Sequence, residues 1–313
     1  MTAKILKLHQ KQIVPFSKFF VILYFHFISK SKRGVIAPEA IKDKLYGQLK
    51  YRFTLIGSGN VASWLAYSIQ RSGSQIVQIY GRNPENAMRL ARVYDTEAIS
   101  DIRLLNSESE FYLFSLKDDA YASILEKLPH SLPFAVHTAG SVSQEIFRNY
   151  AKQYGVIYPY QTISARNDFS RLDVPLCIEA NNENAFRLLY QLGSQWSNSV
   201  YPISELQRSY MHLAAVFASN FTNALYGIGY DILHQKGIDS SLIMPLLYNT
   251  LDKLRITSPS AAQTGPAIRH DGKTMEKHLS MLANEDVKQI YRLMSAWIQN
   301  YEDTTSGSLK ILV

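Results

Sequence analysis

The chain has 313 residues, of which 46% are hydrophobic and 19% are charged, a globular balance that excludes a disordered or collagen-like chain. Its one cysteine, Cys177, excludes a disulfide framework, and no metal-ligand spacing occurs, so we expect no metal site and a cytoplasmic protein. The net charge is +7, but residues 1–50 alone carry +8 and residues 51–313 carry −1, which argues against a nucleic-acid partner.

The first fifty residues differ in character from the rest. Phe19–Ile28 is a ten-residue apolar and aromatic run with basic residues on both sides, too short to span a bilayer. No signal-peptide cleavage site follows it. Three interpretations stay open: an extension from a start codon assigned too early, an anchor at a membrane surface, or a helix or strand packed on the body. We expect no stable membrane span.

A nucleotide-binding pattern begins at the next strand. Tyr51–Ile56 runs directly into GSGNVA at 57–62, and an amphipathic helix and a second strand, Gln75–Tyr80, follow. This order is typical of a dinucleotide-binding βαβ unit, in which the first glycine makes the turn and the second lets the pyrophosphate approach the backbone. The helix start then offers free N–H groups to the phosphates. The turn predicts five cofactor-binding residues: Gly57, Ser58, Gly59, Asn60 and Val61.

The end of the second strand predicts which nucleotide binds. NAD-binding sites usually carry an acidic residue there, which accepts from the ribose 2′-OH. Here the residues are Gly81-Arg82-Asn83. A guanidinium can bind a 2′-phosphate through two hydrogen bonds, whereas a carboxylate would repel it. We therefore predict NADP(H) as the cofactor and add Arg82 and Asn83 to its binding residues, with a solvated loop arginine as the alternative.

Two further apolar runs read as buried parallel strands: Phe111–Leu116 and Phe134–His137. Ligands of open α/β sheets bind at the carboxyl ends of such strands. His137 stands at one of these ends, where packing is a commoner role for histidine than catalysis. The residues predicted to line the nicotinamide side are Ser115, Lys117, Thr138 and Gly140.

The remaining pattern divides the chain. Strand-like segments at Tyr154–Ser164, Val174–Ala180 and Val200–Ile203, with a helix over Glu183–Trp196, complete an α/β half. The predicted fold is an α/β Rossmann-like dinucleotide-binding domain followed by an all-α C-terminal domain. The predicted boundaries are an N-terminal extension over 1–50, the Rossmann-like domain over 51–203, the helical domain over 204–303 and a tail over 304–313.

The helical half begins with one long predicted helix. Residues 205–236 are apolar on more than one face, which indicates a buried helix, and a subunit interface is one place that would bury it. Asp239 is predicted to cap a second helix that Pro245 would kink. Residues 257–271 are predicted as a long functional loop, and residues 285–301 as the last helix.

Five motifs together resemble one family: GSGNVA (57–62), HTAGS (137–141), YPYQT (158–162), HLAAVFASNF (212–221) and TGPAIRHD (264–271). They resemble bacterial NADP oxidoreductases that pair a Rossmann-like domain with a helical C-terminal domain of unknown function. That layout is similar to pyrroline-5-carboxylate reductase and to deazaflavin-dependent NADP reductases. The resemblance covers about residues 51–303. It implies dimerisation through the helical domain and NADP(H) at the glycine-rich turn and Arg82, but no known substrate.

The catalytic residues cannot be transferred directly. Hydroxyacid dehydrogenases of the wider group carry a Lys and an Asn on the long helix, with Lys as acid/base, and no lysine occurs between Glu205 and Gln235 here. At about 100° per residue, Ser219 and Asn223 each fall within about 20° of His212. His212 could supply the proton, or it could be a core histidine. In the 264–271 loop, His270 stands where the resembling motif usually has glycine.

These residues lead to one functional prediction and one alternative. We predict an NADP(H)-dependent oxidoreductase that transfers hydride to or from a small carbonyl or imine. The donor is expected from the helical half, with a catalytic set of His212, Asn220, Thr264 and Arg269, where Arg269 suits a substrate carboxylate. The alternative is a non-catalytic NADP-binding module that controls a partner or a dimer.

Overall fold

The computed structural model describes residues 50–300. The predictions made for Phe19–Ile28 and for the 304–313 tail lie outside these residues. Eight strands are present: β1 (Arg52–Ile56), β2 (Gln75–Tyr80), β3 (Glu97–Ile99), β4 (Phe111–Phe114), β5 (Leu132–His137), β6 (Ala151–Pro159), β7 (Leu176–Ala180) and β8 (Val200–Pro202). The α-helices are α1 (Asn60–Arg71), α2 (Pro84–Val93), α3 (Tyr121–Leu125), α4 (Glu183–Trp196), α5 (Glu205–Ala215), α6 (Thr222–Gln235), α7 (Met244–Lys253), α8 (Pro259–Ala262), α9 (Gly272–Met281) and α10 (Glu285–Gln299).

All eight strands form one sheet in the order β3-β2-β1-β4-β5-β6-β7-β8. Neighbouring strands are parallel except for β6 and β7, which are antiparallel. The chain leaves β1 towards β2 and later returns to place β4 on the other side of β1. That reversal of strand order is the topological switch point at which doubly wound sheets bind ligands. The predicted Rossmann-like α/β fold is confirmed.

Apolar side chains cover both faces of the sheet. β1 shows the alternation: Phe53 and Leu55 belong to the apolar cluster on one face, and Ile56 belongs to the cluster on the other. Every residue of β4 is buried, as expected for a central parallel strand. Two fully covered faces hold the strand ends in fixed positions, and the site is built on those ends.

Sequence and structure agree closely on helix α4, whose predicted bounds are the observed ones. The Asn182 side chain caps it by accepting a hydrogen bond from the Ala185 N–H at 2.9 Å. The strand predicted over Tyr154–Ser164 is wrong at both ends, because β6 runs from Ala151 to Pro159. Lys152 and Gln153 are consecutive polar residues near the start of β6, so the local sequence does not mark this part as a strand, which pairs with β5.

The described chain packs as two compact units, and the boundary between them falls between His212 and Leu213. The second unit contains helices and connecting turns. Residues 205–235 are helical, as predicted for the long helix over residues 205–236, but a π-helical segment, Val216–Phe221, lies between α5 and α6. A π-segment turns less per residue than an α-helix. The predicted common face of His212, Ser219 and Asn223 requires uninterrupted α-helical steps, so it does not extend across the π-helical segment.

Three other predictions in the second unit are corrected. Asp239 does cap, but it caps a 3₁₀ turn, Ser240–Ile243, by accepting from the Ser241 N–H at 2.9 Å. Pro245 lies in the first turn of α7 rather than in its interior. No intrahelical donor is needed at that position, so the proline causes no kink. The segment predicted as a loop over 257–271 contains the short helix α8.

Within residues 50–300, no helix is both long and apolar enough to cross a membrane. The same residues contain no group of three or more His, Cys, Asp or Glu side chains that could hold a metal ion.

Candidate active site

The glycine-rich turn joins β1 to α1 at the switch point of the sheet. Gly57 has a φ of +130°, and a Cβ on it would lie 2.1 Å from the carbonyl oxygen of Ser115. Only glycine satisfies both conditions. Gly59, by contrast, has open space where a side chain would be. The first glycine therefore makes the turn, and the second leaves the backbone accessible to a large ligand.

Helix α1 presents an uncapped N-terminus to this open space. Gly59 is its N-cap residue and has no side chain to accept from the first N–H groups. Twelve residues long, the helix adds the positive end of its dipole. Ala62 is fully buried, so the third small residue of the turn lets the helix pack on the sheet. This surface fits the pyrophosphate of a dinucleotide.

The other predicted residues of this turn have local roles as well. Ser58 is half-buried, and its hydroxyl lies beneath Gly81, where an added Cβ would come within 2.5 Å of it. The side-chain Oδ1 of Asn60 accepts from the Ala165 N–H at 3.1 Å and so ties the β6–β7 loop to the helix start. Val61 is half-buried against the core.

The residues after β2 place an arginine side chain in solvent. Arg82 is exposed and makes no hydrogen bond or ion pair within the described residues. Asn83 is the N-cap of α2, and its side chain accepts from the Asn86 N–H at 3.2 Å. Arg82 is thus free to bind an anion, whereas the side chain of Asn83 is already used by the helix.

The strand ends lie in a row at one edge of the sheet. Just after β4, the Ser115 N–H donates to the carbonyl oxygen of Ile56, the last residue of β1, at 2.8 Å. Just after β5, the Thr138 N–H donates to the carbonyl oxygen of Phe114, the last residue of β4, at 3.1 Å. Lys117, two residues after Ser115, is exposed. The Ser141 hydroxyl donates to the Asp118 carboxylate, which links the loops after β4 and β5. The predicted nicotinamide-side residues therefore occupy adjacent loops.

A buried arginine holds the loop after β5. The Arg208 side chain is completely buried, and its Nη1 donates to the carbonyl oxygens of Ala139 at 2.9 Å and Gly140 at 3.0 Å. Its Nη2 pairs with the Glu179 carboxylate at 3.4 Å. Burial raises the pKa of Glu179, and the nearby guanidinium opposes that rise. Arg208 comes from α5, so this cluster fixes the start of that helix against the strand ends.

His212 lies one helical turn after Arg208 and contacts the same loop. A Cβ on Gly140 would lie 2.6 Å from the His212 Nδ1, so only glycine leaves room for the imidazole. The Nδ1 is also 3.2 Å from the hydroxyl oxygen of Tyr158, at the end of β6. Burial raises the pKa of Tyr158 to about 12. The structure thus brings an exposed imidazole and a protonated phenol together beside the strand ends.

His137 is a packing residue, as the sequence analysis favoured. Its ring is fully buried between Tyr121 and Phe147. Its Nδ1 accepts from the Ala139 N–H at 3.2 Å. Burial, reinforced by the positive charge of Arg208, lowers the pKa of His137 to about 3. The ring is therefore neutral at physiological pH and is closed off from any substrate.

The other predicted catalytic residues belong to the second unit. Asn220 is exposed on the π-helical segment, and Thr264 and Arg269 are exposed on the loop before α9. Asp271 ends this loop and caps α9 by accepting from the Thr274 N–H at 3.1 Å. His270 has a φ of +53°, the left-handed region that favours the glycine of the resembling motif. Their convergence with His212 stays a prediction.

Three residues of the site were not singled out from the sequence: Tyr158, Glu179 and Arg208. Tyr158 lies in the YPYQT motif, which contributed to the resemblance but was given no role. Arg208 sits on a polar stretch of α5, and its partners are about 30 to 70 positions away in the chain. No local pattern marks such a residue as buried, because its burial depends on contacts between distant elements.

Sequence comparisons agree with this geometry. Residues 52–136 match the model of the family described as NADP oxidoreductase, coenzyme F420-dependent. Residues 174–298 match a domain of unknown function, DUF2520. Among curated proteins, none matches the chain significantly.

Solved structures extend the likeness over both units. A Bacteroides fragilis protein described as an NADP oxidoreductase is 36% identical, with a TM-score of 0.76, over 80% of this chain and 98% of its own. Pyrroline-5-carboxylate reductase from Streptococcus pyogenes is 13% identical, with a TM-score of 0.56, over 80% of this chain and 99% of its own. The imine reductase from Myxococcus stipitatus, solved with NADP+, is 14% identical, with a TM-score of 0.52, over 82% and 95%.

The two more distant structures share the fold, and the first carries the identification. The matched family model, the glycine-rich turn at the switch point and the Bacteroides relative all indicate NADP(H) as cofactor and oxidoreduction as the reaction class. The chain belongs to the family of NADP oxidoreductases that pair a Rossmann-like domain with a DUF2520 domain, and it is an NADP(H)-dependent oxidoreductase.

Proposed function

We propose that the protein transfers hydride between NADP(H) and a small carbonyl or imine, with His212 as the proton donor for reduction. The observation that carries this proposal is the position of the His212 imidazole, which contacts Gly140 and hydrogen-bonds Tyr158 at the carboxyl edge of the sheet. Substrates of doubly wound enzymes are bound at that edge. The proposed donor therefore lies on α5, within the segment after residue 204 for which the sequence predicts it.

Backbone N–H groups and one arginine side chain would hold the cofactor. The free N–H groups at the start of α1 would bind the pyrophosphate, and Arg82 would bind the 2′-phosphate. When bound, NADPH supplies the hydride for the reduction. Gly57 allows the chain to turn, and Gly59 leaves the backbone accessible because it has no side chain.

Tyr158 orients the donor rather than supplying the proton. With a pKa of about 12, its hydroxyl stays protonated at physiological pH. In an imidazolium both ring nitrogens carry protons. The His212 Nδ1–H can then donate to the Tyr158 oxygen, which leaves the Nε2–H directed at a substrate oxygen or nitrogen. After proton transfer the imidazole is neutral and still held by Tyr158.

The test follows NADPH oxidation with a panel of keto acids, aldehydes and cyclic imines. Replacing His212 by Gln should lower kcat by about 10²- to 10⁴-fold and leave NADP+ affinity unchanged. Tyr158→Phe should lower kcat less and alter the pH profile. The control is His130→Gln, which changes a histidine two residues before Leu132, at the opposite end of β5. Full turnover in the His212 variant would refute the assignment.

Asn220, Thr264 and Arg269 belong to the same proposal as substrate-binding residues. Arg269 is exposed and carries the charge that a substrate carboxylate requires. Arg269→Met should raise KM for keto acids by about 10- to 100-fold and leave KM for uncharged aldehydes unchanged. An equal effect on both substrate classes would argue against carboxylate binding at this residue.

The homodimer is proposed from the surface of the second unit. Within residues 213–300, Ala267 is the one hydrophobic residue that is buried, whereas Leu246, Tyr248 and Leu293 are each more than 60% exposed. Monomeric proteins rarely expose apolar surface on this scale, and a second copy of the same unit would cover it. Leu246→Glu should yield a monomer in sedimentation experiments. Leu104→Glu, at an equally exposed site in the first unit, should not; a Leu246 variant that stays dimeric would contradict the proposal.

A further inference from the structure

The loop after β5 carries two backbone N–H groups that use no acceptor within the described residues: those of Gly140 and Ser141, here called the strand-end amides. Their neighbours are paired, since the Thr138 N–H donates to Phe114 and the Ala139 N–H donates to His137. Gly140 is buried. Buried backbone donors are almost always paired in folded proteins, so an unpaired one beside an active site indicates a ligand atom.

Arg208 determines where the strand-end amides point. Its Nη1 binds the carbonyl oxygens of Ala139 and Gly140 together, at 2.9 and 3.0 Å. The peptide bonds in the described chain are all trans, so each N–H points opposite to the carbonyl of the same peptide plane. The carbonyl of Ala139 shares its plane with the Gly140 N–H, and that of Gly140 shares its plane with the Ser141 N–H. Both strand-end amides therefore point away from the guanidinium.

The guanidinium also strengthens these donors. A cation that binds a carbonyl oxygen polarises the peptide group and makes its N–H a stronger hydrogen-bond donor. Arg208 is completely buried, so water does not screen its charge from the two peptides. Glu179, at 3.4 Å from Nη2, holds the guanidinium from its other end.

The strand-end amides are next to the proposed proton donor. Gly140 contacts the His212 ring closely enough that a Cβ would collide with it. A substrate oxygen bound by the Gly140 N–H would therefore lie in the neighbourhood of the imidazole. Pairs of preorganised backbone N–H groups are known to stabilise oxygens that carry or gain negative charge.

We propose that the N–H groups of Gly140 and Ser141 bind an acceptor oxygen of the substrate, a carboxylate or a carbonyl, and that Arg208 is the positioning residue that orients them. The inference rests on the proposed function, because it assigns a second contact to the same substrate. It adds a binding site made of backbone, which side-chain comparisons between relatives would not reveal.

Amide NMR on NADP+-saturated protein tests the site directly. The only Ala-Gly pair in the sequence is Ala139-Gly140, so ¹³C-carbonyl alanine combined with ¹⁵N-glycine identifies the Gly140 amide without full assignment. Acetate and acetamide are titrated separately. Saturable shifts of the Gly140 amide with acetate alone indicate carboxylate binding, and shifts with both indicate that a carbonyl oxygen suffices. No shift with either probe overturns the proposal.

A pair of variants tests the second amide. Ser141→Pro removes one N–H and should weaken acetate binding by about 10- to 100-fold. Ser141→Ala also loses the hydrogen bond to Asp118 but keeps the N–H, and it should bind acetate as the wild type does. Equal affinities in the two variants would overturn the role of Ser141. If the proline variant does not fold, the titration of the Gly140 amide in the wild type decides whether the strand-end amides bind acetate.

The two proposals can fail separately. The titration needs no turnover, so a protein that binds acetate at Gly140 but reduces no carbonyl or imine would refute the proposed function and leave the amide site standing. A protein that reduces its substrate through His212 but has an unresponsive Gly140 amide would refute the amide site and leave the proposed function standing.

Discussion

Replacing Arg208 by Met tests the central packing feature of the site. Methionine fills a similar volume but donates no hydrogen bond, so the carbonyls of Ala139 and Gly140 and the carboxylate of Glu179 all lose their donor. Removing one partner of a buried ion pair costs about 3–5 kcal/mol. We expect the free energy of unfolding of the first unit to fall by that amount at pH 8.

The cost should depend on pH in a defined direction. Burial raises the pKa of Glu179, and Arg208 opposes the rise, so the variant carboxyl should have a higher pKa still. At pH 5 the variant can protonate Glu179 and avoid an unpaired buried charge. The loss of stability in Arg208→Met should therefore be smaller at pH 5 than at pH 8.

Urea denaturation followed by tryptophan fluorescence measures this change, because Trp64 and Trp196 are both buried in the first unit. The matched control is Arg187→Met. Arg187 pairs with Glu183 at 3.7 Å, but both side chains are about two-thirds exposed, so its loss should cost less than about 1 kcal/mol. Equal unfolding midpoints for Arg208→Met and wild type would refute the reasoning.

Three further changes test separate parts of the structure. Arg82→Asp should weaken NADPH binding about 10- to 100-fold and leave NADH binding nearly unchanged in calorimetry, with Arg89→Asp as a control; equal losses for both nucleotides would contradict the role of Arg82. His270→Gly should raise the melting temperature, since relief of left-handed strain outweighs the entropy of glycine by up to about 1 kcal/mol, and an unchanged or lower value would contradict it. His137 has a pKa of about 3 when folded and 6.5 when unfolded, so the stability it contributes is complete above pH 6.5 and falls as the pH drops towards 3. His137→Asn, which keeps an acceptor for the Ala139 N–H, should reduce the slope of stability between pH 6 and 5 by up to about 1.4 kcal/mol per pH unit; equal slopes would show that His137 does not titrate in this way.

The features predicted correctly are those that the sequence encodes locally. The turn at Gly57 and the uncapped start of α1 follow from six consecutive residues. Helix α4 has an asparagine cap and a clear apolar face, and its bounds were predicted to the residue. In each case, the residues that specify the structure are neighbours in the chain.

The features missed depend on residues far apart or on small departures from regular geometry. The partners of Arg208 lie 29 to 69 positions away, and Tyr158 lies 54 positions from His212. No residue type in the sequence indicates the π-helical segment, yet this segment changes which side chains share a helix face. His212 is a candidate because it is one of the polar residues on that helix, but no local pattern predicts the phenol that holds its ring.

A full charge buried beside the strand ends needs an explanation other than stability. Replacing both partners of a buried ion pair by apolar residues is often neutral or stabilising. In the double variant Arg208→Met with Glu179→Met, the carbonyls of Ala139 and Gly140 would still lose a donor, at about 1–3 kcal/mol each, while no unpaired charge remains. We therefore expect the double variant to be more stable than Arg208→Met alone, although the strand-end amides are no longer held in place. Its Gly140 amide should respond to acetate at least about 10-fold more weakly than in the wild type. A double variant that regains stability and keeps the full acetate response would show that Arg208 serves the fold and not the site.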